Sequence, residues 1–334
     1  MTSFPLHRVA TVLPFINYLR QQNVPIEKEL IRVKLPVAAI IDPDCFIPSK
    51  NYWNFIANVA ERERTKDMGF YVGLKSGANA ADLGMSKRLL QLPTLKQALV
   101  QFCKIASSEI SQVSLWLEAK ETNTHRLYYQ TSYGREHPAY VHFQWYGLMA
   151  AIAAIRLFHG KHWNPTEIGL GSIKNPSVKI HEYFPNTQFI TGQPVCFITL
   201  SNSLLGNPLQ PDKNLFENSI FYSRIKAPCD YIGALKLVLR SYLRDKAPPL
   251  ELAAAITGQS TRTLQRQLAS KGLTYRELLT AVRFETAIEL MQNTDMKIAD
   301  ISSQLSYADP TNFTRSFRQI AGVSPREYMR QLVR

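Results

Sequence analysis

Cysteine is scarce in this chain. Cys45, Cys103, Cys196 and Cys229 are the only four in 334 residues, lie far apart, and form no CxxC or CxxH spacing. That excludes a disulfide framework and gives no zinc signature; a reducing compartment fits, so a cytoplasmic protein is expected. Long apolar runs are missing too. Trp145 to Ile155 is 11 residues before Arg156 interrupts it, about half of the ~20 needed to span a bilayer, so it reads as a buried core helix and no membrane partner is expected. The amino terminus, MTSFPLHRVATVLPF, has neither the apolar run nor the cleavage site of a signal peptide. With 15 Gly and 19 Pro against 45% hydrophobic residues, a fibrous or disordered chain is excluded. Acidic residues are also in deficit: 39 Lys and Arg face 26 Asp and Glu, for a net charge of +13. Such a field favours polyanionic partners, nucleic acid first.

The length suits two domains of ~100 to 200 residues. Helical spacing of apolar residues runs through Val9, Leu13, Ile16 and Leu19, then through Tyr52, Phe55, Ile56 and Val59. A third helix is expected from Thr94 to about Ser107. A β-hairpin follows, with Val113, Leu115 and Leu117 alternating in one strand and RLYYQTSY forming the other, across the polar turn EAKETNTH. A long helix from Pro138 to His159 and two extended runs, TEIGLGS and VCFITL, complete a mixed α/β (α+β) region. Between 206 and 229 the periodicity fades and Asn207, Pro208, Pro211, Asp212 and Asn214 cluster, as in a linker. Everything beyond is expected to be helical, in segments from Tyr231 to Arg244, Leu250 to Thr257, Thr261 to Ser270, Tyr275 to Asn293, Ile298 to Leu305 and Pro310 to Ile320. The expected domains are therefore 1–205, a linker at 206–229, and an all-α domain at 230–334. Positive charge is about twice as dense in the last domain, +6 over residues 235–334 against +7 over the preceding 234.

An internal repeat organises that last domain. A shift of 49 places Leu252 on Ile301, Ile256 on Leu305, Leu264 on Phe313, Arg266 on Arg315 and Leu268 on Phe317, and a shift of 50 places Gly272 on Gly322 and Glu277 on Glu327. Each copy has a short helix, a turn and a second helix, the layout of a helix-turn-helix. Ser260 and Asp309 are natural N-caps, and Pro310 suits the first helical position. Paired helices of this kind also build solenoids. The surface chemistry favours DNA. With Leu264 and Leu268 turned inward, Arg262, Thr263, Gln265 and Arg266 face outward with no balancing carboxylate, and Thr311, Asn312, Thr314, Arg315 and Arg318 are their counterparts. Arg forks onto guanine O6/N7 and Gln onto adenine N6/N7. Between the copies, helix-compatible sequence from Tyr275 to about Gln292 makes a linker helix ~27 Å long, able to hold both reading heads against successive major-groove segments ~34 Å apart.

The stretch from 250 to 328, with TGQSTRTLQRQL, LTYRELLTAVRFETAIELM and KIADISSQLSYADPTNFTRSFRQIAGVSPREYM, resembles the DNA-binding domain of the AraC/XylS transcription regulators. The resemblance implies base-contacting positions at Arg262, Gln265 and Arg266, and at Thr311, Thr314 and Arg315. Two departures stand out. Ser302 replaces the usual Ala, and Ser306 replaces the usual turn Gly, where a left-handed backbone costs a non-Gly residue ~1 kcal/mol and implies a less rigid second unit. The first region, through GMSKRLLQLPTLKQAL, HWNPTEIGLGS and TGQPVCFITLSNSLLGNPL, resembles the effector or dimerisation domain named after arabinose binding. That resemblance implies a mixed α/β sensor, not the small β-barrel of the sugar-responsive archetype.

The expected function is thus a sequence-specific DNA-binding transcription regulator, an activator by resemblance. Its expected partners are double-stranded promoter DNA, an unidentified small-molecule effector, a second copy of the chain in a homodimer, and RNA polymerase. The alternatives are a constitutive DNA-binding protein whose first domain only dimerises or docks a partner, and an enzyme fused to a DNA reader. Catalytic, metal and cofactor sites are not expected. His142, His159, His162 and His181 form no HExxH or carboxylate pair, and Gly169-Leu170-Gly171 lacks the third glycine of a dinucleotide loop. Cys229 follows Pro228, as in the alkyl-transfer repair proteins of this superfamily, but Asp230 follows where His and Arg normally stand and would raise the thiol pKa. Trp116, Tyr128, Tyr129, His142, Trp145 and Tyr146 are either core or the lining of a ligand pocket. Strand alternation puts Tyr128 and Tyr129 on opposite faces.

Overall fold

The computed structural model describes residues 4–79, 89, 91–109, 113–121, 123–131, 133–206 and 230–332. They separate into two compact units: one gathers the described residues of 1–9, 27–52 and 228–334, the other those of 10–26 and 53–227. The units therefore interleave along the chain, and residues 27–52 join the carboxy-terminal helices. The linker read at 206–229, apart from Gly206, and Cys229 lie outside the described residues.

In the middle unit the helices are α1 (Val9–Gln21), α3 (Ser49–Arg62) and α4 (Met68–Asn79), of which the first and second begin in the other unit, then α5 (Leu95–Glu109) and α6 (Tyr140–His159). Short helices α7 (Val178–Tyr183) and α8 (Asn202–Gly206) follow. The expected hairpin is present as β3 (Val113–Glu121) and β4 (Thr124–Thr131), which pair antiparallel in a five-stranded sheet of order β3-β4-β7-β5-β6. Here β5 is Glu167–Gly169, β6 Gln188–Ile190 and β7 Cys196–Ser201, and only β5 and β6 run parallel. The 20-residue α6 is long and apolar enough to cross a membrane, yet 12 of its residues are buried inside the protein. Ile152 and Ile155 are fully buried, and Trp145 and Leu148 pack with Leu127, Ile198 and Leu200 of the sheet. Helix α4 reaches α6 through two glycines: a Cβ on Gly69 would lie 1.9 Å from the His142 carbonyl oxygen, and one on Gly73 2.5 Å from the Met149 Cβ. Neither contact tolerates a side chain.

Strand register decides the aromatic residues of the hairpin. Trp116 pairs with Tyr128 and Leu115 with Tyr129, so Trp116 and Tyr128 stack on one face, centroids 5.0 Å apart, while Tyr129 and Trp145 belong to the core. His142 is buried as well.

In the other unit β1 (Leu6–Arg8) and β2 (Phe46–Pro48) pair antiparallel, and α2 (Ile26–Arg32) and a 3-10 turn at Ala38–Ile41 lie between α1 and β2 in the chain. These short elements left no periodic signal in the sequence. Seven helices follow: α9 (Tyr231–Leu243), α10 (Leu250–Ile256), α11 (Thr261–Ala269), α12 (Tyr275–Asn293), α13 (Ile298–Gln304), α14 (Pro310–Ala321) and α15 (Pro325–Leu332). All but α15 match expected segments to within about two residues. Leu264, Leu268, Phe313 and Phe317 are buried as the repeat requires, and they share a core with Leu278, Val282 and Met291 of α12 and with Leu235 and Leu239 of α9. Lys236 and Arg240 of α9 pair with Glu285 and Glu289 of α12. The protein is thus a mixed α/β domain combined with an all-α domain of two helix-turn-helix units joined by a linker helix.

The repeat is refined in one respect. Helix α10 starts at 250 and α13 at 298, a shift of 48, so Ala253 and Ala254 correspond to Ile301 and Ser302, all four buried. The sequence superpositions of Leu252 on Ile301 and of Ile256 on Leu305 are each one residue out, since the C-caps are Thr257 and Leu305. The N-caps of α11 and α14 differ by 49, and those of α12 and α15, Thr274 and Ser324, by 50. One residue is added in each successive turn of the second copy.

Candidate nucleic-acid interface

Each reading helix is set by its cap. Ser260 Oγ accepts from the Thr263 amide at 3.2 Å, and Asp309 Oδ1 accepts from the amides of Thr311 and Asn312 at 2.7 and 3.0 Å. The Asn312 amide bond is the main reason that the Asp309 carboxyl sits below its ordinary pKa. The carboxylate thus stays charged against the positive end of α14. The linker helix α12 begins with a reciprocal capping box: Thr274 Oγ1 accepts from the Glu277 amide while Glu277 Oε2 accepts from the Thr274 amide at 2.7 Å. Ser324 and Glu327 repeat it at the start of α15.

The nine candidate residues fall into two groups. Arg262, Gln265 and Arg266 are exposed on one face of α11, at i, i+3 and i+4, opposite the buried Leu264 and Leu268. Among the described residues their side chains make no hydrogen bond or ion pair. Thr311 and Arg315 are likewise exposed on α14, where the Thr311 side chain hydrogen-bonds the Asp309 carboxylate and Arg315 interacts with it electrostatically. The other four also have internal partners. Thr263 shares a hydrogen bond with Ser260 (2.9 Å), Asn312 Nδ2 donates to Asp309 Oδ2 (2.8 Å), Thr314 donates to the Pro310 carbonyl (2.9 Å), and Arg318 lies 4.0 Å from Glu327. Spacing alone does not separate the groups, because cap chemistry is written in the same Ser, Thr and Asn residues that read DNA.

Behind these helices the two turns differ. Gly258 carries φ 71° after α10; Ser306 carries φ 56° after α13. The expected left-handed position is therefore occupied by serine. Its hydroxyl accepts from the Ala247 amide at 3.0 Å and donates to the Leu243 carbonyl at 2.5 Å, while Arg283 of α12 donates to the Leu305 and Ser306 carbonyls at 3.0 and 2.9 Å. The turn of the second unit is tied to both α12 and the α9–α10 connection.

Residues 253–331 match the model of a helix-turn-helix domain, and residues 24–209 match that of the arabinose-binding domain of AraC transcription regulators, amino-terminal part. The chain belongs to the AraC family of transcription regulators. Its first domain is of the arabinose-binding type and its last is a helix-turn-helix domain. It is 29% identical over 140 residues to an HTH-type transcriptional regulator of Mycobacterium bovis, covering 39% of either chain. It is 37% identical over 81 residues to the ornithine utilization regulator of Pseudomonas aeruginosa, covering 24% of either. With the transcriptional activator NphR of Rhodococcus sp it shares 33% over 97 residues, 29% of either. The match thus spans about two fifths or less of the length of these relatives. Among solved structures, the regulator CdpR from P. aeruginosa superposes over 96% of this chain and 98% of its own, at 19% identity and a TM-score of 0.41.

Among the described residues no group of three or more His, Cys, Asp or Glu side chains is arranged to hold a metal ion. Cys45, Cys103 and Cys196 are buried free thiols. Burial pushes the first two up to about 11, which keeps them protonated and poor nucleophiles.

Proposed function

We propose that α11 and α14 enter two successive major-groove segments of promoter DNA. Arg262, Gln265 and Arg266 read base edges in one segment, and Thr311 and Arg315 read them in the other. Thr263, Asn312 and Thr314 hold the helix starts in place, and Arg318 contacts phosphate. The observation that carries this reading is the exposed Arg262–Gln265–Arg266 face, without a carboxylate, over the buried Leu264 and Leu268. Guanidinium and amide groups free of internal partners are what bidentate base recognition uses. Helix α12, 19 residues and ~28 Å long, sets the distance between the two heads.

The regulator works in the cytoplasm as a homodimer and activates transcription by engaging RNA polymerase. Residues 1–205 respond to a small-molecule effector, 206–229 connect, and 230–334 bind DNA; the protein has no catalytic role of its own. Binding of the full chain to DNA, followed as log K against log salt, tests the reading. A steep negative slope is expected because Lys and Arg displace counterions from phosphates. A flat slope, or no binding at low salt, removes the assignment. A thermal-shift screen of the full chain against small metabolites tests for the effector, which stabilises the state it binds.

A further inference from the structure

The last turn of α9 and the residues after it form a junction with two sides. On one side it holds residues 34–46. Tyr242 donates its hydroxyl to the Lys34 carbonyl (2.5 Å) and Ser241 donates to the Phe46 carbonyl (2.7 Å). Arg244 pairs with Asp42 at 2.9 Å. Asp245 accepts from the amides of Val37 (2.5 Å) and Ala38 (2.9 Å), which open the 3-10 turn. A carboxylate on two amides at a helical start makes charge-assisted bonds, stronger than neutral ones. On the other side, the Leu243 carbonyl and Ala247 amide hold the hydroxyl of Ser306. From Ser306 the connection continues to α14: Tyr307 stacks under Arg283 at 4.5 Å, lies 5.4 Å from the Phe313 ring, and donates to Ser316 Oγ at 3.0 Å.

Residues 34–46 lie inside the stretch that matches the sensor-domain model, 24–209, yet fold in one compact unit with the helix-turn-helix domain. Through α3 the same segment runs on covalently into the middle unit. We infer that Asp245 and Ser306 are positioning residues for the second recognition helix. Residues 241–247 carry the placement of the docked segment 34–46 to the turn before α14, so that the half-site read by α14 is engaged fully only when this segment is docked. The inference rests on the DNA reading proposed above.

The turns of the two units explain why the second is the one controlled. Gly258 has no side chain to bond and meets its left-handed φ without strain. Ser306 holds the same conformation at a steric cost, which two hydrogen bonds from the junction offset. Losing the junction therefore loosens the second turn and leaves Gly258 unchanged.

The test uses the full chain on an extended DNA site selected by the wild-type protein from a random library, with protection of each half-site measured separately by footprinting. Asp245→Ala and Ser306→Gly are each expected to weaken protection of the α14 half-site by about 3- to 10-fold and to leave the α11 half-site unchanged. Asp245→Asn, which keeps an acceptor for the Ala38 amide, should restore most of the loss. Ser306→Gly separates positioning from folding, because glycine suits φ 56° and the melting temperature should not fall. The double variant should be no weaker than the worse single one, since both break the same connection. Additive effects, equal loss at both half-sites, or unchanged protection in both single variants would overturn the inference while the DNA reading stands. Wild-type protein that selects no site overturns both.

Discussion

The hydroxyl of Ser306 donates to the carbonyl oxygen of Leu243 at 2.5 Å, joining the turn of the second helix-turn-helix unit to the end of α9. Ser306 Oγ also accepts from the Ala247 amide. Replacement therefore depends on what is kept. Ser306→Ala loses both bonds and retains the left-handed strain at φ 56°, so it should destabilise the carboxy-terminal unit by about 1 to 2 kcal/mol. Ser306→Gly loses the bonds but relieves the strain and should be near neutral. Thermal unfolding of the two variants ranks them, and an alanine variant as stable as the glycine one would contradict the strain argument.

Ser302 occupies the place of Ala254 in the first unit and is 1% exposed, and its hydroxyl has no hydrogen-bond partner among the described residues. Burying an unpaired hydroxyl costs about 1 to 3 kcal/mol. Ser302→Ala is expected to raise stability by about 1 kcal/mol, visible as slower amide exchange in α13 and α14. Faster exchange would mean that the hydroxyl is bonded.

Arg266 stands free on the reading face of α11, and Lys271 lies beyond its end. Arg266→Ala should relax preference at particular base pairs by about 1 to 3 kcal/mol, whereas Lys271→Ala should weaken all sequences evenly. Selection from a random DNA library distinguishes them. An unchanged motif for Arg266→Ala would move the reading face elsewhere.

Two buried histidines give the fold an acid limit. Burial lowers His7 to about 3 and His142 to about 4, from an ordinary 6.5. Both are neutral in the folded protein at pH 7, while the unfolded chain takes up their protons below 6.5. Stability is therefore complete above pH 6.5 and falls between 6.5 and about 4, by up to about 1.4 kcal/mol per pH unit for each histidine. Urea unfolding from pH 7 to 4.5 measures the slope. His142→Leu should reduce it for the middle unit, and a slope unaltered by the variant would remove His142 as a cause.

Much of this protein was legible without coordinates. Period 3.6 with capping residues marked six of the last seven helices, and the tandem repeat found Leu264, Leu268, Phe313 and Phe317, because a buried stripe leaves a mark at every turn of a helix. The α15 capping box, Ser324 to Glu327, follows the same capping rule. Alternation marked the hairpin and put Tyr128 and Tyr129 on opposite faces. Tertiary structure alone decided the rest. Strands of three residues such as β1 and β2 are too short to carry a period, and their pairing joins positions some 40 residues apart. Which exposed polar residues are free and which serve a cap depends on rotamers and near neighbours, so Arg262, Gln265 and Arg266 separate from Thr263, Asn312 and Thr314 only in three dimensions. The membership of residues 27–52 in the helix-turn-helix unit rests on bonds such as Asp245 to Val37, 208 residues apart. Composition and spacing record local preference; a contact over that distance is fixed by the packing of the whole chain.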